Sequence, residues 1–155
     1  MNELTLILQS LTKLHESLLD MMKKKQQVLV KGEVQELLSI LSEESKIVKQ
    51  IGEAEVQRTK LVENKSSVTL SQYINLHGDT SQQQEWKQMQ EQLLTLLSDI
   101  RTINRTNELL LQQSLAFTQY MMDQLLPSTH SSGYYKQNDT VLEASEPNRF
   151  FDAKA

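Results

Sequence analysis

Apolar residues recur along this chain at the spacing of helices that pack side by side. Leu4, Leu11 and Leu18 lie seven apart, and so do Ile7, Leu14, Met21 and Val28. Interleaved steps of three and four draw a seam down one side of a helix, and Lys13, Glu16, Asp20 and Lys24 fall off it. The spacing slips across Lys31-Gly32-Glu33. Glycine readily takes the left-handed conformation that ends a helix. A tight turn is therefore expected, with one long helix kinked at Gly32 as the alternative. A second helix carries its apolar face on Val34, Leu37, Leu38, Leu41, Val48 and Ile51. Its pattern weakens after Gly52, and fraying is expected near Asn64, with Lys65-Ser66-Ser67 as a linker.

Thr69-Leu70-Ser71-Gln72 has the form of a capping box, a hydroxyl at the cap and a glutamine three residues on. It predicts a short helix through Tyr73, Ile74 and Leu76 that ends at Gly78. Asp79-Thr80-Ser81 then offers several caps, with Gln83 and Gln84 placed to complete boxes. The third long helix has the clearest pattern. Trp86, Leu93, Ile100, Asn107 and Met121 fall on one seven-residue repeat, and Met89, Leu96, Ile103, Leu110 and Phe117 on the other. Pro127 stops it. Two helices of about 30 residues against one of about 45 predict an all-α antiparallel bundle of three long helices plus one short helix.

The texture changes at Pro127. Ser128 to Gly133 reads as a linker, and no helical period follows. The expected division is a bundle domain over 1–127 and a flexible C-terminal tail over 128–155. Yet Tyr134, Tyr135, Phe150 and Phe151 make up half of the chain's eight aromatic residues. Disordered tails are usually poor in aromatics, so these four read as anchors, for the bundle or for a partner.

Composition agrees with long amphipathic helices: four Gly and two Pro in 155 residues leave little material for the turns of a mixed fold. The net charge is −4, and residues 1–65 balance ten acids with ten bases. No basic face is large enough to neutralise several phosphates, which argues against nucleic acid; Lys23-Lys24-Lys25 reads as a solvated stretch. No apolar run is long enough to span a membrane, and the start Met1-Asn2-Glu3 shows no signal peptide, so a cytoplasmic protein is expected.

Candidate chemistry is sparse. Cysteine is absent, which removes thiolate ligands and nucleophiles. His15, His77 and His130 are far apart, so neither a metal nor any other cofactor is expected. His15-Glu16 on a helix suggests a phosphotransfer histidine, but the residues that follow are Ser17-Leu18-Leu19, and a plain surface histidine is the simpler reading. Glu43 and Glu44 diverge by about 100° on a helix and do not form a carboxylate pair. No phosphate-binding or nucleophile-elbow motif occurs, and no enzyme is expected. Asn107 is different, because it sits in a seam. A buried Asn costs stability but fixes register, or else it serves a groove, together with Asn104 one turn earlier.

The order of these features resembles that of the FlgN-type flagellar export chaperones. It runs from Val30-Lys31-Gly32-Glu33 through Leu37-Leu38 and Lys46 to Asn104-Arg105-Thr106-Asn107-Glu108-Leu109-Leu110, and it ends in a tyrosine-containing tail that closes on Phe151-Asp152-Ala153-Lys154-Ala155. The resemblance covers nearly the whole chain, and Asn-x-x-Asn-x-Leu-Leu is its most specific part. It implies a cytoplasmic chaperone that binds hook–filament junction proteins, prevents their premature assembly and delivers them to the flagellar type III export gate. It also implies that a tail tyrosine docks to the gate. The family's Tyr tends to precede Gly, whereas the order here is Gly133-Tyr134-Tyr135-Lys136.

The expected cargo site is an apolar groove along the C-terminal half of the third helix, with Asn104, Asn107, Leu109, Leu110, Leu111, Phe117 and Met121. Leu109, Leu110 and Leu111 are consecutive and cannot all face one seam. Met21, Met22, Met89, Met121 and Met122 are either adaptable lining or plain core. Tyr134 and Tyr135 are the expected gate contacts, and Phe150 and Phe151 the tail anchors. The competing expectation is a structural coiled coil or adaptor that oligomerises through its seams.

Overall fold

The computed structural model describes residues 2–66 and 68–126, without the side chains of 63–66. Within them the chain forms α1 (Glu3–Lys31), α2 (Val34–Ser66), α3 (Leu70–Leu76) and α4 (Thr80–Leu125). It is an all-α fold with three long helices and one short one, as the periodicity predicts. No strand occurs among the described residues. The expected tail lies outside them.

The ends of the helices follow from local chemistry. The Asn2 side chain accepts a hydrogen bond from the Leu4 amide at 3.0 Å, which satisfies one free donor of the first turn. Gly32 closes α1 in the left-handed region, at φ 75° and ψ 26°, and its N–H donates to the Val28 carbonyl at 2.9 Å. The slip in the pattern is thus a turn and not a kink. Thr69 and Gln72 form the expected capping box. At α4 a reciprocal pair also forms, but between Asp79 and Gln82: the Asp79 carboxylate accepts from the Gln82 amide at 2.8 Å, and the Gln82 side chain accepts from the Asp79 amide at 3.3 Å. The first of the three candidate caps is used, so Gln83 and Gln84 are not the box partners.

The chain divides into two units, Met1–Leu111 and Gln112–Ala155. In the first, cross-helix contacts set the directions. Leu4 and Leu8 share a core with Leu61 and Val62, so α1 and α2 are antiparallel. The Trp86 indole donates to the Thr5 hydroxyl at 2.9 Å, and the Asn107 amide donates to the Met22 carbonyl at 3.0 Å, so α4 up to Leu111 runs in the direction of α1.

The core of this unit gathers at one end. Leu4, Ile7, Leu8, Leu11, Ala54, Leu61, Val62, Tyr73, Ile74, Trp86 and Leu93 form it, and Trp86 is wholly buried at its centre. The short α3 roofs this end: Tyr73 lies 6.5 Å from the Trp86 ring and stacks on His77 at 4.1 Å. Gly78 lets the chain pass directly over the indole. Its φ is 85°, and a Cβ there would sit 2.8 Å from Trp86 Cζ3.

Three expectations need correction. On α2, Val34, Leu38, Leu41 and Val48 are exposed, whereas Ala54, Leu61 and Val62, in the stretch that reads as weakening, are buried. Periodicity says that a face is apolar, not that a neighbour covers it. On α4, Phe117 and Met121 continue the seam in sequence but are exposed. His15 is not a surface residue. It is buried, with Nδ1 2.7 Å from the Leu11 carbonyl oxygen, which can only accept, so Nδ1 carries the proton.

The second unit is described over Gln112–Leu126, and every residue there is exposed. Leu115, Phe117, Tyr120, Met121, Met122, Leu125 and Leu126 are the large apolar side chains there, and Gln112, Gln119 and Asp123 share the remaining face.

Candidate functional site

Away from the Trp86 core, the first unit contains a groove of about 350 Å³. Each long helix contributes residues one turn apart. Lys25 and Leu29 come from α1, Leu37 and Leu41 from α2, and Asn104, Asn107, Glu108 and Leu111 from α4. Spacings of three, four and seven put the four α4 residues on one face. Four of the eight lining residues are leucines, and the other four, Lys25, Asn104, Asn107 and Glu108, are polar.

The Lys25–Glu44 pair spans α1 and α2. The lysine ammonium meets both carboxylate oxygens, at 3.0 and 2.8 Å, with side chains only 12% and 16% exposed. Such a shielded two-oxygen contact holds the two helices in register better than an exposed pair does. Asn107 ties α4 to α1 through its bond to the Met22 carbonyl. Its side chain is buried, and its Oδ1 accepts no hydrogen bond among the described residues. Half of the register-fixing expectation therefore has a partner in the fold, and the other half of the amide has none.

Of the expected cargo residues, Asn104, Asn107 and Leu111 meet in this groove. Leu109 and Leu111 are 53% and 43% exposed, while Leu110 is half-buried. The consecutive leucines thus leave two side chains at the surface. Neither Leu109 nor Leu110 lines the groove. Phe117 and Met121 belong to the Gln112–Leu126 stretch, at 64% and 40% exposure. Tyr134, Tyr135, Phe150 and Phe151 lie outside the described residues. Sequence reasoning missed Leu29, Leu37, Leu41, Lys25 and Glu108 as neighbours of the asparagines. The signal available was the failure of α2's apolar face to find enough α1 seam to cover it.

Among the described residues, no group of three or more His, Cys, Asp and Glu side chains could hold a metal ion. The His15 and His77 rings each engage a carbonyl of their own helix, at 2.7 and 3.1 Å. No described helix is long and apolar enough to cross a membrane.

Comparison with known proteins gives a consistent result. A family model described as FlgN protein matches residues 1–141. An uncharacterized protein of Bacillus subtilis (strain 168), YvyG, is 30% identical over 152 residues, covering 96% of this chain and 94% of that protein. No solved structure matches the chain.

Proposed function

The chain belongs to the FlgN family of flagellar export chaperones, a family of binding proteins rather than enzymes, and we propose that its cargo is a hook–filament junction protein. In this reading the chain holds that protein in the cytoplasm, prevents its premature assembly and hands it to the flagellar type III export gate. The observation that carries the reading is the groove. It presents Leu29, Leu37, Leu41 and Leu111 from all three long helices, with a few fixed polar groups among them.

An amphipathic helix lies naturally against such a surface, its apolar face on the leucines and its polar face in water. A cargo segment that becomes helical only on binding loses conformational entropy as it does so. Affinity is then moderate and release easy, which suits a chaperone. In the first unit the exposed Leu109 adds to the apolar surface offered to cargo, and in the second the exposed Phe117 and Met121 offer an apolar surface of their own. So many large apolar side chains left exposed together, as over Gln112–Leu126, mark a surface that a partner covers. Tyr134 and Tyr135 are assigned to the gate's cytoplasmic domain, because each ring buries a large area and keeps a hydroxyl for a hydrogen bond. Phe150 and Phe151 anchor the tail. Residues 1–127 bind cargo, and 128–155 serve delivery.

The test is capture from flagellated cells with the full-length chain as bait, followed by mass spectrometry and light scattering of the purified protein. A junction protein should be recovered by the wild type and lost with Leu111→Glu or Leu109→Glu, both of which should keep full helicity. Undiminished capture by both variants would move the cargo site elsewhere. A large obligate oligomer that captures no junction protein would replace this reading with the structural coiled coil. Tyr134→Ala with Tyr135→Ala should retain cargo and lose gate affinity.

A further inference from the structure

The amide of Asn107 is half used. Its Nδ2 donates to the Met22 carbonyl at 3.0 Å, while Oδ1 is sealed from solvent and accepts nothing among the described residues. Turning the amide over cannot help, because that would set its oxygen against the Met22 oxygen, acceptor facing acceptor. The orientation is therefore fixed, and a buried carbonyl is left without a donor, at a cost to the free protein. Asn107 is also one of the residues that line the groove.

We propose that the groove takes an amphipathic helix that carries one glutamine or asparagine on its apolar face, whose side-chain NH₂ parts the groove side chains covering Asn107 Oδ1 and donates to it. This rests on the reading of the groove as a cargo site and names the chemistry that the groove selects.

The donor follows by elimination. Inside a helix every backbone N–H is already bonded to the carbonyl four residues earlier, so the occupant must supply a side chain. A lysine or arginine would bring a charge into a contact that excludes water. A serine or threonine hydroxyl in a helix tends to return its proton to its own i−4 carbonyl. This chain does so repeatedly: Thr95, Thr102, Thr106 and Thr118 each donate to the residue four back, at 2.9 to 3.2 Å. The primary amide has two protons and no such local outlet in a helix. Charge at the rim fits as well. Lys25 is held by Glu44, whereas Glu108 is exposed and has no ion pair among the described residues, so the occupant's flank should be basic. An exposed pair of that kind sets register more than affinity.

Two labelled synthetic amphipathic peptides of about 20 residues test this. Both have a leucine apolar face and a lysine-rich flank, and they differ only at the central apolar position, Gln in one and Leu in the other. Titrated against the full-length chain, the Gln peptide should bind about fivefold tighter. That order is the reverse of what apolar burial alone gives. Asn107→Leu should reverse the preference. Should that variant fold poorly, the wild type still decides: its Asn107 side-chain amide resonance should shift with the Gln peptide and stay put with the Leu peptide. Equal or tighter binding of the Leu peptide by the wild type, a preference that survives Asn107→Leu, or binding of neither peptide overturns the proposal. Any of these leaves the chaperone reading intact if a junction protein is still captured.

Discussion

Gly78 and Gly32 share a left-handed backbone but not a neighbourhood, and the difference separates strain from crowding. Around Gly32 a Cβ would meet nothing within 4 Å, whereas at Gly78 it would lie 2.8 Å from Trp86 Cζ3 and 3.0 Å from Trp86 Cη2. Gly32→Ala should therefore cost only the conformational penalty, about 1–2 kcal/mol. Gly78→Ala adds overpacking against a buried ring and should cost about 2–4 kcal/mol. Urea unfolding of the two variants reads the difference; equal losses would mean that the indole gives way freely. Trp86 itself is legible in the sequence as a seam residue, but its Thr5 partner is not, since nothing local signals a pairing across 81 residues. His15 misleads for a related reason. A histidine between two seam leucines looks polar and outward, yet its ring satisfies itself on the Leu11 carbonyl and so tolerates burial.

The elements were more legible than their coverage. Caps, turn and helix lengths follow from short-range chemistry, which one sequence displays well, although it leaves the Gly32 turn open against a kink and points to Gln83 and Gln84 where Gln82 closes the α4 box. Which half of α2 is buried depends on where α1, α3 and α4 lie, and that is long-range. Leu38 stands on the apolar face that the pattern marks and Leu61 where the pattern weakens, yet they are 63% and 8% exposed. Leu61→Ala should cost about 2–4 kcal/mol, and Leu38→Ala less than about 0.5. Similar losses in chemical denaturation would mean that Leu38 is covered in solution. The turn between α1 and α2 carries a smaller effect of opposite sign. The Glu36 carboxyl is raised above its ordinary value of 4.5, first by its hydrogen bond with Glu33 and then by that neighbour's charge. A raised folded value means that the folded state holds the proton more tightly, so this contribution is complete below 4.5 and is lost as pH rises through the raised value. Glu33→Gln should thus raise the melting temperature slightly at neutral pH and leave it unchanged where both acids are protonated. A gain of the same size at both pH values would point to some other cause.

At the scale of the whole molecule, burial is distributed unevenly, and this bears on how a chaperone keeps a surface ready for a partner. The Trp86 core draws on the start of α1, the end of α2, α3 and the start of α4. The groove residues sit on the opposite stretches of the same long helices, where Leu37 is half-buried and Leu41 and Leu111 are exposed. Apolar side chains that are only half covered contribute little to holding their helices in place, so the backbone there should open without global unfolding. The groove can then widen at small cost while the Trp86 end keeps the fold. Native-state hydrogen exchange would show this directly. Amides of 4–18, 54–62 and 86–93 should exchange only through global unfolding, with a shared denaturant dependence. Those of 34–48 and 112–125 should exchange faster, through local opening that denaturant scarcely affects. Saturating the groove with a bound helix should slow exchange at 34–48 and leave the already slow amides nearly unchanged. Uniform protection along all the long helices would mean a single cooperative bundle, and the picture of a firm end supporting a compliant one would have to be given up.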